Sequence, residues 1–61
     1  MTGQTTNELF LHKDYPDSRV VVDTGTKFEV LDKGIKASRI KFIEGEFKNY
    51  IRIINNDLLI F

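Results

Sequence analysis

Turn-forming residues divide most of this chain into pieces too short for a long helix. Gly25, Gly34, Gly45 and the pair Asn55-Asn56 recur at intervals of about ten residues. Between them lie runs rich in β-branched and aromatic side chains: RVVVD (19–23), TKFEVLD (26–32), IKASRIKFIE (35–44), FKNYIRII (47–54) and LLIF (58–61). Short runs of this composition, bounded by Gly and Asn, read as strands joined by tight connections. The pattern predicts an all-β or mainly β chain forming an antiparallel meander.

The alternation within the runs says more. Phe28 and Val30 share one face, and Lys27, Glu29 and Leu31 the other. Gly34 falls where a three-residue hairpin loop takes a left-handed residue. In 35–44 the phase changes: Ile35 and Ala37 have one parity, Ile40 and Phe42 the other. A bulge or bend near Ser38 would reconcile the two halves.

Size limits how such strands can be buried. At 61 residues and 7.1 kDa the chain is a single small domain, and domains of this length have a net stability of only ~3–5 kcal/mol before extra devices are added. It has no cysteine and one histidine, which removes disulfides and makes a structural zinc site unexpected; no metal or cofactor is anticipated. The economical solutions are a small SH3-like or OB-like barrel, or a strongly curled antiparallel sheet, with a short N-terminal helix or strand outside it. In outline the rhythm of GTKFEVLDKG (25–34) resembles a bacterial SH3-like domain, a likeness of pattern that carries no residue roles. At the N-terminus, Thr5 and Glu8 are spaced as in a capping box before Leu9-Phe10-Leu11, so 7–13 reads as helix or strand. Residues 1–6 are expected to be flexible. DYPDS (14–18) breaks whatever precedes it. No signal-peptide pattern precedes the domain, and the longest wholly apolar stretch is LLIF, so a cytoplasmic protein without membrane contact is expected.

Val21-Val22-Asp23-Thr24-Gly25 resembles the active-site loop of the aspartic proteases, which would imply a retroviral-type homodimer with Asp23 contributed by each subunit. No late apolar strand here carries the bracing glycine of that family, since Gly34 and Gly45 both fall in turns. The residues account for themselves as a turn: the Asp23 side chain accepts a hydrogen bond from the N–H two residues on, and Gly25 takes the left-handed position. His12 lies near Asp14, Asp17 and Ser18 without an activated nucleophile, and DTGTK lacks phosphate-loop spacing. The reading is a non-enzyme.

The last two hairpins hold the candidate site. A two-residue turn at Gly45-Glu46 pairs Lys41 with Tyr50, Ile40 with Ile51 and Arg39 with Arg52. A turn at Asn55-Asn56 then pairs Ile53 with Leu58, Ile51 with Ile60 and Tyr50 with Phe61. One face becomes a core of Ile40, Phe42, Phe47, Ile51, Ile53, Leu58 and Ile60. The other carries Arg39, Lys41, Lys48, Tyr50, Arg52, Ile54, Leu59 and Phe61, half basic and half apolar where strict alternation would make it polar.

Charge is segregated too. Residues 1–32 hold three basic against six acidic side chains, and 33–52 hold six basic against two acidic, within a chain of zero formal net charge. The mixed face is expected to be covered by the Leu9–Leu11 region or to bind a partner. The partner is another protein or a second copy of the chain, making the protein an interaction or regulatory module. The alternative is single-stranded nucleic acid, stacked on Tyr50 and neutralised by Arg39, Lys41, Lys48 and Arg52.

Overall fold

A computed structural model describes residues 1–12 and 19–61; the expected break at 14–18, with Asp14, Asp17 and Ser18, lies outside them. Among the described residues seven strands form: β1 (Thr2–Thr5), β2 (Leu9–His12), β3 (Arg19–Val22), β4 (Lys27–Lys33), β5 (Ala37–Phe42), β6 (Ile51–Asn55) and β7 (Leu59–Ile60), with a 3-10 turn, Asn56–Leu58, between the last two. They make a five-stranded sheet in the order β6-β5-β4-β1-β7 and a separate two-stranded sheet, β2-β3. Every pairing is antiparallel.

The expected SH3-like or OB-like barrel and the strongly curled sheet do not form. The five-stranded sheet is open and flat, ending at β6 on one side and β7 on the other. The expectation assumed that each strand pairs with its neighbour in sequence, and two elements break that assumption. LLIF leaves β6 and crosses to pair with β1, Gln4 opposite Ile60 and Thr5 opposite Leu59. Leu9–His12 folds back on Arg19–Val22 as its own hairpin. Among the described residues there is no N-terminal helix: Thr5 lies in β1 and Leu9 begins β2. Residues 1–6, expected to be flexible, supply β1 between β4 and β7.

The core lies between the two sheets. From the hairpin, Leu9 and Val22 are buried, with Leu11 and Val20 packed beside them. They meet Phe28, Ile40, Phe42, Phe47 and Ile54 of the larger sheet and its connections. Two-residue alternation places these side chains: Leu9 pairs with Val22 and Leu11 with Val20, so all four share a face. Phe10, paired with Val21, takes the opposite face and is 62% exposed.

Buried polar groups are satisfied locally, as burial requires. Thr5, 2% exposed, donates its hydroxyl to the Asp23 carbonyl at 2.9 Å and accepts the Thr26 N–H at 3.1 Å. Ser38, 1% exposed, donates to Asn56 Oδ1 at 2.6 Å and accepts the Gly34 N–H at 3.3 Å. Ser38 thus continues the inward phase of Ile40 and Phe42, and no bulge is needed there. The irregularity sits across the ladder in β4, between Val30 and Asp32, while Ile35 is left in the connecting loop, 98% exposed. Gly34 is not left-handed; it is glycine because any Cβ would collide with the Ala37 carbonyl. Among the described residues, no helix is long and apolar enough to cross a membrane.

Candidate functional site

The connection from β5 to β6 decides which side chains reach the surface. In place of a two-residue turn, the chain makes a wide loop. Gly45 and Asn49 both adopt left-handed backbone, with φ of 79° and 74°. The Asn49 N–H donates to the Phe42 carbonyl at 2.7 Å, and the Tyr50 N–H to that of Phe47 at 2.8 Å. Phe47, between the two left-handed residues, drops into the core and is 1% exposed. Burying a phenylalanine is worth ~1.5–3 kcal/mol, a gain the tight turn would also offer and the wide loop keeps while it shifts the strand that follows.

The wide loop moves the register by one residue. Arg39 faces Ile53, Ile40 faces Arg52, and Lys41 faces Ile51. A one-residue slip exchanges the two faces of a strand, and β6 is exchanged throughout. Ile54 is 7% exposed and belongs to the core, whereas Ile51 and Ile53 are 47% and 72% exposed. The opposed arginines expected from the tighter turn do not form. Arg39 instead makes an ion pair with Asp32 at 2.7 Å, both side chains well exposed, a contact worth ~0–1 kcal/mol.

The rest of the anticipated site is divided. Lys41, half-buried on β5, stays on the outer face opposite Ile51. Lys48 is exposed in the wide loop. Tyr50 is half-buried, its ring edge-on to Phe47 at 5.4 Å. Arg52 turns inward: its guanidinium lies 5.1 Å from the Tyr50 ring centre, and it donates to the Ile51 carbonyl at 2.8 Å and the His12 carbonyl at 3.2 Å. The Asn55-Asn56 hairpin does not form either. Asn55 has φ of −59° and leads into the 3-10 turn, so Leu59 is buried at 6% exposure and Ile60 is turned outward. Phe61 closes one end of the sheet, edge-on to Phe28 at 6.2 Å with Lys33 Nζ 4.7 Å from its ring centre. Of the expected site, the structure keeps Arg39 and Lys41 together and joins them to Ile51 and Ile53.

This outer surface runs onto an edge of the sheet and into a groove. Among the described residues β6 pairs with β5 alone. Beside it lies a groove of about 410 Å3 whose walls include Phe10 and Leu11 of β2 with Ile53, Asn55 and Leu58. The hairpin therefore packs on the inner side of the sheet and leaves Ile51 and Ile53 uncovered. The sequence held one sign of the wide loop: Gly45 and Asn49, both tolerant of left-handed backbone, flank an aromatic residue.

Asp23 is in a turn, with Gly25 left-handed at φ 84°. Its backbone carbonyl is the hub, accepting from the hydroxyls of Thr5 at 2.9 Å and Thr26 at 2.6 Å. The Gly25 N–H, expected to meet the Asp23 side chain, donates to the Thr5 carbonyl at 2.8 Å. Glu44 and Glu46 line the same cleft as Asp23, but among the described residues no group of three His, Cys, Asp or Glu is placed to hold a metal ion. Comparison of the chain with family models, with curated proteins and with solved structures returns no match.

Proposed function

We propose that the protein is a non-catalytic interaction module that engages another polypeptide through the outer face and free edge of β5 and β6. The observation that carries this reading is the pair Ile51 and Ile53, exposed on an edge strand beside Arg39 and Lys41. Single exposed apolar residues are ordinary. Two on alternate positions of one strand, continuous with the groove at Phe10 and Leu58, form the apolar centre and basic rim of a protein-binding patch. Regulation by occupancy fits so small a domain, because the patch lies on rigid strands and needs no rearrangement to bind.

Affinity capture with the purified domain tests the reading. Proteins retained by wild type are expected to be lost with Ile53→Glu and with Lys41→Glu, while Glu46→Gln, in the wide loop, retains them. Identical capture by all the folded variants would refute the assignment of this face.

A further inference from the structure

We infer that the polypeptide fitting the β6 edge is the β6 strand of a second copy of this chain, paired antiparallel about a two-fold axis at Ile53. The inference rests on the interaction-module reading and supplies its partner. The Phe42 N–H donates to the Tyr50 carbonyl at 3.0 Å, and the Asn56 N–H to the Lys36 carbonyl at 2.8 Å. Antiparallel ladders alternate bonded and non-bonded pairs, so Ile40 with Arg52 and Ser38 with Ile54 continue the bonded set. Ile51, Ile53 and Asn55 then direct their N–H and C=O groups away from β5, out of the sheet. Alternating donors and acceptors along an edge are matched best by another extended strand.

Self-pairing satisfies this edge without setting like charges against each other. With the axis at Ile53, each Ile53 lies opposite its mate, Ile51 opposite Asn55, and Arg52 opposite Ile54. Opposite residues share a face, so Ile51 and Ile53 of both copies gather into one four-residue apolar cluster. The two-fold axis stands perpendicular to the sheet, which puts both hairpins on the same side and brings the exposed Phe10 of each copy toward the seam. The chain's zero formal net charge adds no long-range repulsion.

Protection of the two edges differs. Strand β7 has only two residues, a short edge of the kind that resists pairing, whereas β6 has five and no proline. Its inward Arg52 guards one position, donating to the Ile51 carbonyl at 2.8 Å. Among the described residues, that leaves the Ile53 and Asn55 groups for a partner. A stable interface takes about 800 Å2 per partner, roughly a fifth of this chain's 4231 Å2. One strand edge and Phe10 offer less, so the pairing is expected to be weak and concentration-dependent.

Sedimentation velocity from about 10 μM to 1 mM, with amide hydrogen exchange at both ends of that range, tests this directly. Wild type is expected to pass from monomer to dimer, with the Ile53 and Asn55 amides slowing as it does so. The Arg52 and Ile54 amides, already bonded to β5, should keep their protection. Ile53→Lys, at an exposed position, is expected to keep the fold by circular dichroism and weaken the dimer at least tenfold. A wild type that remains monomeric at 1 mM overturns the inference, as does a dimer that survives Ile53→Lys or leaves the Ile53 and Asn55 amides fast. The module reading survives a strictly monomeric result if capture of other proteins still depends on Ile53, and fails separately if it does not.

Discussion

Adjacent isoleucines on β6 are expected to have very different mechanical weight, and truncating each to alanine measures it. Ile54 is 7% exposed, packed with Ile40, Phe42 and Phe47. Removing most of its side chain loses the transfer energy and leaves a cavity, a change that costs ~2–5 kcal/mol in well-packed cores. Ile53 is 72% exposed, so little of its side chain has left water; Ile53→Ala is expected to cost no more than ~0.5–1 kcal/mol, mostly strand propensity. Against a total of ~3–5 kcal/mol for a domain of this length, Ile54→Ala should bring the chain close to half unfolded without denaturant. Ile53→Ala should only shift the urea midpoint slightly. Unfolding followed by circular dichroism at a few micromolar, where self-association is negligible, gives both values with the slope as a check on two-state behaviour. A larger loss at Ile53 than at Ile54 would refute the register and with it the location of the binding face.

Other residues give independent tests. Gly3→Ala is expected to destabilise severely, because a Cβ there meets the Ile60 carbonyl and lies 2.8 Å from the Phe28 ring; a thermal midpoint within a degree or two of wild type would contradict the packing of β1. Ser38→Ala removes the hydroxyl between Asn56 Oδ1 and the Gly34 N–H and should cost ~1–3 kcal/mol; the same urea titration reads it, and a neutral result would contradict that network. Fluorescence anisotropy with labelled single-stranded DNA and RNA at low salt is expected to be flat, because Tyr50 packs against Phe47 and Arg52 turns inward beneath the sheet. Salt-sensitive binding lost on Arg39→Glu with Lys41→Glu would instead establish a nucleic-acid surface.

How much of this was legible in the sequence varies by strand. In β4 up to Val30 and in β5 from Arg39 onward alternation was sufficient: Phe28, Ile40 and Phe42 are buried, with Lys27, Glu29 and Arg39 facing out, whereas the bulge expected near Ser38 lies across the ladder between Val30 and Asp32. In β6 the same rule failed by one residue. Ile51, Ile53 and Ile54 are equally apolar, so composition cannot choose between the two faces, and the choice passed to the Phe47 loop. Strand β1 was concealed for a different reason. Met1–Asn7 reads as a polar tail, yet its glycine admits the Phe28 ring and its buried threonine is satisfied by the Asp23 turn. Both partners are distant in sequence. The path of the C-terminus was equally hidden, since Asn55-Asn56 suits a tight hairpin as well as the entry to a 3-10 turn. Of the candidate site, Arg39 and Lys41 were readable from β5, whereas its apolar half depended on a long-range register.

That register is the premise on which the candidate site rests, and cross-strand proton distances measure it without perturbing the protein. In the non-bonded pairs of an antiparallel ladder the two Cα atoms are ~4.5 Å apart and their Hα protons are in close contact. Strong Hα–Hα nuclear Overhauser effects are predicted between Arg39 and Ile53 and between Lys41 and Ile51, the pairs observed here. Cross-peaks joining Arg39 to Arg52 or Lys41 to Tyr50, the non-bonded pairs of the tighter turn, with the predicted pairs absent, would return Ile53 to the core and remove the exposed apolar face.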